Sequence, residues 1–205
     1  MTNHGSNSVI LIDTISNTIE GSIGVGMLPN GVAITPDGKF AYVVNTNTPS
    51  NATVSVINTA TNTVVQTITV GLLAENLAIA MTPNGQFVYV ANLAGTLSVI
   101  NTSTNTVTAT LTMPGSPADI AFSPNGNLAY VTIFNLSEIA ILNTATNTII
   151  GTIPVGVMPG GIAITPDGNF AYVAESSGTT VTVVNLLTNS IAATVTVGSD
   201  PAEIV

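Results

Sequence analysis

The sequence predicts an all-β chain of repeated four-stranded antiparallel units, and three observations carry that prediction. A Pro-Asp/Asn-Gly turn recurs at steps of 47, 41 and 42 residues from proline to proline. A second marker, rich in Asn and Thr, recurs in the same register at steps of 45, 43, 42 and 42 residues. Between the markers lie short runs of Val, Ile and Thr, cut by Gly, Pro and Asn too often for helices of normal length. Four strands in roughly 40–45 residues is the period of a β-propeller blade.

The turns are Thr35-Pro36-Asp37-Gly38, Thr82-Pro83-Asn84-Gly85, Ser123-Pro124-Asn125-Gly126 and Thr165-Pro166-Asp167-Gly168. Proline presets φ and glycine supplies φ > 0, so a tight hairpin accounts for the motif. The second marker reads Asn58-Thr59-Ala60-Thr61-Asn62-Thr63, with copies beginning at Asn101 and Asn143 and weaker ones at Asp13 and Asn185. Its Asn and Thr side chains can satisfy loop amides, which makes it a second hairpin loop.

Strands are lettered A to D from the innermost outward. In the second full copy they are residues 77–80, 87–90, 96–100 and 107–111. Strand A there is almost wholly apolar, as a strand buried on both faces would be, and strand D alternates apolar and hydroxyl residues. The chain is read as one domain over residues 1–205, with complete blades at 27–70, 71–113, 114–155 and 156–197. Residues 1–26 hold the tail of a strand B and strands C and D of a fifth blade, and residues 198–205 the start of its strand A. That fifth blade lacks its A–B turn and most of strand B. Three arrangements follow: a five-bladed ring with a rebuilt closing blade, a fragment of a larger ring, or a protomer whose open blade edges pair with other chains.

Phe40-Ala41-Tyr42-Val43-Val44-Asn45, Phe87-Val88-Tyr89-Val90-Ala91-Asn92 and Phe170-Ala171-Tyr172-Val173-Ala174 each follow their turn by one residue. They resemble the second strand of the YVTN-type β-propeller repeat, and Thr53-Val54-Ser55-Val56-Ile57-Asn58 resembles its third. The resemblance covers essentially the whole chain. It implies a propeller of the kind frequent in prokaryotic cell-surface and surface-layer proteins, and so a place outside the cell. Similar repeats also occur in lactonase-like and quinoprotein-type enzymes, so the resemblance leaves activity open.

Composition removes several classes of function. The 205 residues carry ten carboxylates against one cation, Lys39, for a net charge of −9, and only 5% of residues are charged. Binding to the nucleic-acid backbone needs Lys and Arg, and docking on anionic membranes needs basic clusters. No apolar run is long enough for a membrane helix. Residues 1–8 lack the basic and apolar regions of a secretory signal. No cysteine is present, so disulfides and thiolate metal sites are excluded. Neutral polarity fills the gap, with 32 Thr and 22 Asn, about a quarter of the chain. The sequons at Asn51, Asn101 and Asn135 are what such a composition produces by accident.

In a propeller the D–A and B–C connections share one face, where ligands commonly bind. Ligand-binding candidates on that face are Asn30, Glu75, Asn76, Asp119, Glu175, Asp200 and Glu203, with Asn45, Asn92 and Asn135 on the B–C side. Such carboxylates suit a hard cation such as calcium, or a glycan held by amides and carboxylates. Solvated loop charges that keep the chain soluble are the plainer reading. The single histidine, His4, has no second histidine to complete a zinc site, and no Gly-x-Ser-x-Gly elbow occurs. No catalytic residue and no cofactor are assigned. The expected function is a surface-associated scaffold or recognition module without enzymatic activity, working through protein contact or self-association. Two alternatives stand beside it: a lactonase-like enzyme with a carboxylate-held metal at the central channel, and a lectin-like propeller that binds glycans.

Overall fold

In a computed structural model that describes residues 1–46, 51–71 and 78–204, the strands come in consecutive antiparallel sheets. β1 (Thr2–Asn3), β2 (Ser8–Asp13) and β3 (Thr18–Gly24) make a three-stranded sheet. Four four-stranded sheets follow. The first is β4 (Pro29–Ile34), β5 (Phe40–Asn45), β6 (Ala52–Asn58) and β7 (Thr63–Gly71). The second is β8 (Ala78–Met81), β9 (Phe87–Asn92), β10 (Thr96–Asn101) and β11 (Thr106–Thr112). The third is β12 (Pro117–Phe122), β13 (Leu128–Ile133), β14 (Glu138–Asn143) and β15 (Thr148–Pro154). The last is β16 (Pro159–Ile164), β17 (Phe170–Glu175), β18 (Thr180–Asn185) and β19 (Ser190–Thr196). Each sheet pairs its strands in chain order, which fits propeller blades. Among the described residues no helix is long and apolar enough to cross a membrane.

The chain packs as two compact units, Met1–Thr110 and Leu111–Val205. In the first, one core joins Tyr42, Val54 and Ile68 of one sheet to Val88, Val90 and Ile100 of the next. A second core there joins Val9 and Ile23 to Ala41, Val43 and Ile57. In the second unit, Tyr130, Ile139 and Ile153 pack on Ile162, Val173 and Val184. The β4–β7 sheet thus offers one face to the sheet before it and the other to the sheet after it.

The turns explain why Asp and Asn alternate at one position. Thr35 Oγ1 donates to Asp37 Oδ1 (2.8 Å) and accepts from Phe40 N (3.0 Å), while Asp37 Oδ1 also accepts from Lys39 N (3.1 Å). Asn84 Oδ1 fills the same role, accepting from Thr82 Oγ1 (2.8 Å) and Gln86 N (3.0 Å). An oxygen acceptor is required and its charge is not. The closing glycines, Gly38, Gly85, Gly126 and Gly168, sit at φ of 71–73°, where a side chain is strained. The second loops are capped alike: Asn58 Oδ1 accepts from Ala60 N (2.9 Å) and Thr61 N (3.2 Å), and Asn62 takes the left-handed conformation at φ 54°. Thr59 Oγ1 then donates to Gly38 O (2.6 Å), tying this loop to the turn beside it.

Strand A departs from expectation. It is the half-exposed strand, with Val32 and Ile34 39% and 57% exposed, whereas the B and C strands are the buried ones. The reason is topological: β4, β8, β12 and β16 each stand at a sheet edge and have one strand neighbour instead of two. Residues 198–204, the described part of the 198–205 segment expected to begin a strand A, form no strand. Ala202 O instead accepts from the N–H of Gly161, within β16 (2.9 Å).

Candidate functional site

The second unit contains most of the candidate carboxylates, and the fold uses them internally. Asp119, half-buried in β12, accepts from Ile120 N through Oδ1 (2.8 Å) and from Ile162 N through Oδ2 (2.9 Å). One carboxylate therefore bridges β12 and β16. Beside it, Thr132 Oγ1 donates to Gly160 O (2.8 Å) and accepts from Asp119 N (3.0 Å). Glu175, buried at the end of β17, receives the hydroxyls of Thr180 and Thr182, one on each carboxylate oxygen. Asp200 is exposed at φ 54°, and its N–H donates to Gly178 O (2.9 Å), whose own N–H donates to Glu175 O (2.9 Å). Glu203 is exposed, and its charge reaches Asp119.

The structure brings together Asp119 with Glu203, and Glu175 with Asp200 through the backbone of one loop. Asn30, in the first unit, is exposed on β4, and its carbonyl accepts from Thr2 Oγ1 (2.5 Å). Glu75 and Asn76 lie outside the described residues. The B–C asparagines also serve the frame. Asn45 Nδ2 donates to Ser55 Oγ (3.0 Å), Asn92 Oδ1 accepts from Ala94 N (3.0 Å), and Asn135 Oδ1 accepts from Ser116 N (2.7 Å). His4 is exposed on a short 3-10 turn. Among the described residues no three His, Asp or Glu side chains converge as metal ligands would.

One repeated feature lies outside the two sequence markers. The glycines that follow the D strands lie against the B-strand ends. A Cβ on Gly26 would meet Asn45 (2.7 Å), on Gly115 it would meet Asn135, and on Gly156 the Glu175 carboxylate. The signal is present as Val25-Gly26 and Val155-Gly156, in step with the other two markers, with Gly115 one residue later in its copy.

Burial pushes the Asp119 carboxyl up from 3.8; the Ile162 and Ile120 amides oppose it and the Glu203 charge adds to it. The hydrogen bond from Lys39, then those from Thr35 and the Lys39 amide, bring Asp37 down to about 2. An acid raised by folding favours the folded state below the unfolded pKa of 3.8, and that contribution is lost as pH rises through the folded value. Asp37 has the opposite sign: its contribution is present above 3.8 and is lost as pH falls toward about 2. Carbon-detected NMR titration should therefore place Asp119 above 3.8 and Asp37 near 2. An Asp119 midpoint below 3.8 would contradict the burial described.

No family model matches the chain, and no curated protein matches it. Solved structures do. A protein of unknown function from Desulfotomaculum acetoxidans DSM 771 is 22% identical with a TM-score of 0.86, covering 100% of this chain and 67% of its own. Kuenenia stuttgartiensis hydrazine synthase is 16% identical with a TM-score of 0.71, covering 98% of this chain and 84% of its own. At such identities the likeness shows the fold alone, and the fold is that of a β-propeller.

Proposed function

We propose that this chain is a non-enzymatic β-propeller scaffold or recognition module of the YVTN type, surface-associated and working through protein contact or self-association at open blade edges. In this reading the four-stranded sheets are complete blades and the three-stranded sheet belongs to a fifth, incomplete one split between the termini. The observation that carries the reading is the use of the candidate carboxylates: Asp119 holds two backbone amides, and Glu175 holds two threonine hydroxyls. A catalytic metal would have to compete with those bonds for its ligands. The Asn/Thr loops are likewise engaged in capping their own amides, which favours a rigid polar surface over a row of free sugar contacts.

Calorimetric titration with calcium and with manganese tests this against the lactonase-like alternative. No saturable heat up to millimolar metal is expected. Saturable binding abolished by Asp119→Ala or Glu175→Ala would replace the scaffold reading with a metal site at these carboxylates.

A further inference from the structure

The row of B-strand tyrosines is interrupted at its last member. Tyr42, Tyr89 and Tyr130 are 0%, 1% and 3% exposed, while Tyr172 is 38% exposed. Tyr42 is covered by the following sheet, and its hydroxyl donates to Asn105 Oδ1 in that sheet's loop (2.6 Å). Ile68 and Val70 complete the covered face, at 6% and 3% exposed; their equivalents Val195 and Val197 are 45% and 38% exposed. The face of the last sheet that would receive a following sheet is open. Gly198 agrees: a Cβ there would meet nothing within 4 Å.

The first sheet shows the opposite defect. Ile12 is 45% exposed, whereas its equivalents Ile57, Ile100, Leu142 and Val184 are 2% or less. Ile19 is 71% exposed, more than its equivalents Ile149 (39%) and Ile191 (51%), while Val64 at the same place packs into a core. Here the face that would sit on a preceding sheet is open. Each sheet therefore carries one half of the contact that Ile68 and Tyr42 make with Ile100 inside the first unit.

We propose that the three-stranded sheet of one copy seats on the open face of the last sheet of a second copy. Ile12 and Ile19 pack on Tyr172 and Val195, and Asn17, the counterpart of Asn105, accepts the Tyr172 hydroxyl. The contact joins face to face and buries apolar side chains, unlike the pairing of strand edges. It is heterologous, because the two copies use different surfaces. This rests on the scaffold reading and, within its self-association branch, replaces the pairing of blade edges with a contact between sheet faces.

The test is solution mass by sedimentation equilibrium over a hundredfold concentration range, with two variants at exposed positions, Ile12→Lys and Val195→Lys. The unaltered chain should rise above 20.7 kDa with concentration. Each variant alone should stay at 20.7 kDa with an unchanged circular dichroism spectrum, since each retains one working face and lacks the other. Mixed, the two variants should form a 1:1 pair and nothing larger, joined through the two intact faces. A constant 20.7 kDa for the unaltered chain overturns the proposal, as does association that survives both variants or a mixture that fails to pair. Those failures leave recognition of a different macromolecule standing, whereas saturable metal binding would end the scaffold reading whatever the mass.

Discussion

Tyr42→Ala should destabilise the first unit by about 3–5 kcal/mol, the cost of deleting a fully buried aromatic side chain. Tyr42 is 0% exposed, and its ring lies in a core drawn from two sheets. Its hydroxyl reaches Asn105, a residue held in the left-handed conformation at φ 53° by the loop it belongs to. Removing the ring opens a cavity between sheets and also frees a loop. Tyr42→Phe separates the two contributions: it keeps the packing, loses one hydrogen bond, and should cost about 0.5–1.5 kcal/mol. Urea unfolding followed by circular dichroism reads both. Burial of this phenol, whose pKa it pushes up to about 12, gives the same picture from the electrostatic side.

Gly156→Ala should cost about 1–3 kcal/mol through overpacking. Its Cβ would fall on the Glu175 carboxylate, which two threonine hydroxyls hold in place. To make room, Glu175 must leave its rotamer and give up both bonds. The cost should largely disappear in a Glu175→Ala background, where the obstructing carboxylate is gone, so the two substitutions are strongly non-additive. Additive costs in a double-mutant cycle would mean that the glycine is needed for its backbone and not for the room it leaves. Gly198→Ala serves as the comparison, because nothing lies within 4 Å of the position its Cβ would take.

The strands were legible because their determinants are local. The strands expected at residues 87–90 and 96–100 are Phe87–Asn92 and Thr96–Asn101, and the Pro-Asp/Asn-Gly and Asn/Thr markers fall in the hairpin loops they predict. Alternating Thr and apolar residues marked β11 as a strand with one solvated face. Strand A misled because its apolar sequence carries no mark of how many neighbours it has, and it stands at a sheet edge.

The candidate site was legible only as residue types. Glu175 and Asp119 looked like free loop carboxylates, since their partners, Thr180, Thr182 and the Ile162 amide, are identified by pairing and register. Ile12 and Ile57 occupy the same place in the repeat, yet one is exposed and the other buried. That difference comes from which sheet lies alongside, and no pattern within a single copy records it.

The cost of a core substitution depends on whether the next sheet covers the residue. Tyr42→Ala and Tyr172→Ala, unfolded side by side in urea at the lowest measurable protein concentration, separate the two cases. The two residues have the same place in the repeat and equivalent strand partners, Val56 and Val183. A loss of about 3–5 kcal/mol is expected for the first and about 1 kcal/mol or less for the second. Equal losses would contradict it, because Tyr172 would then be as fully covered in the folded chain as Tyr42.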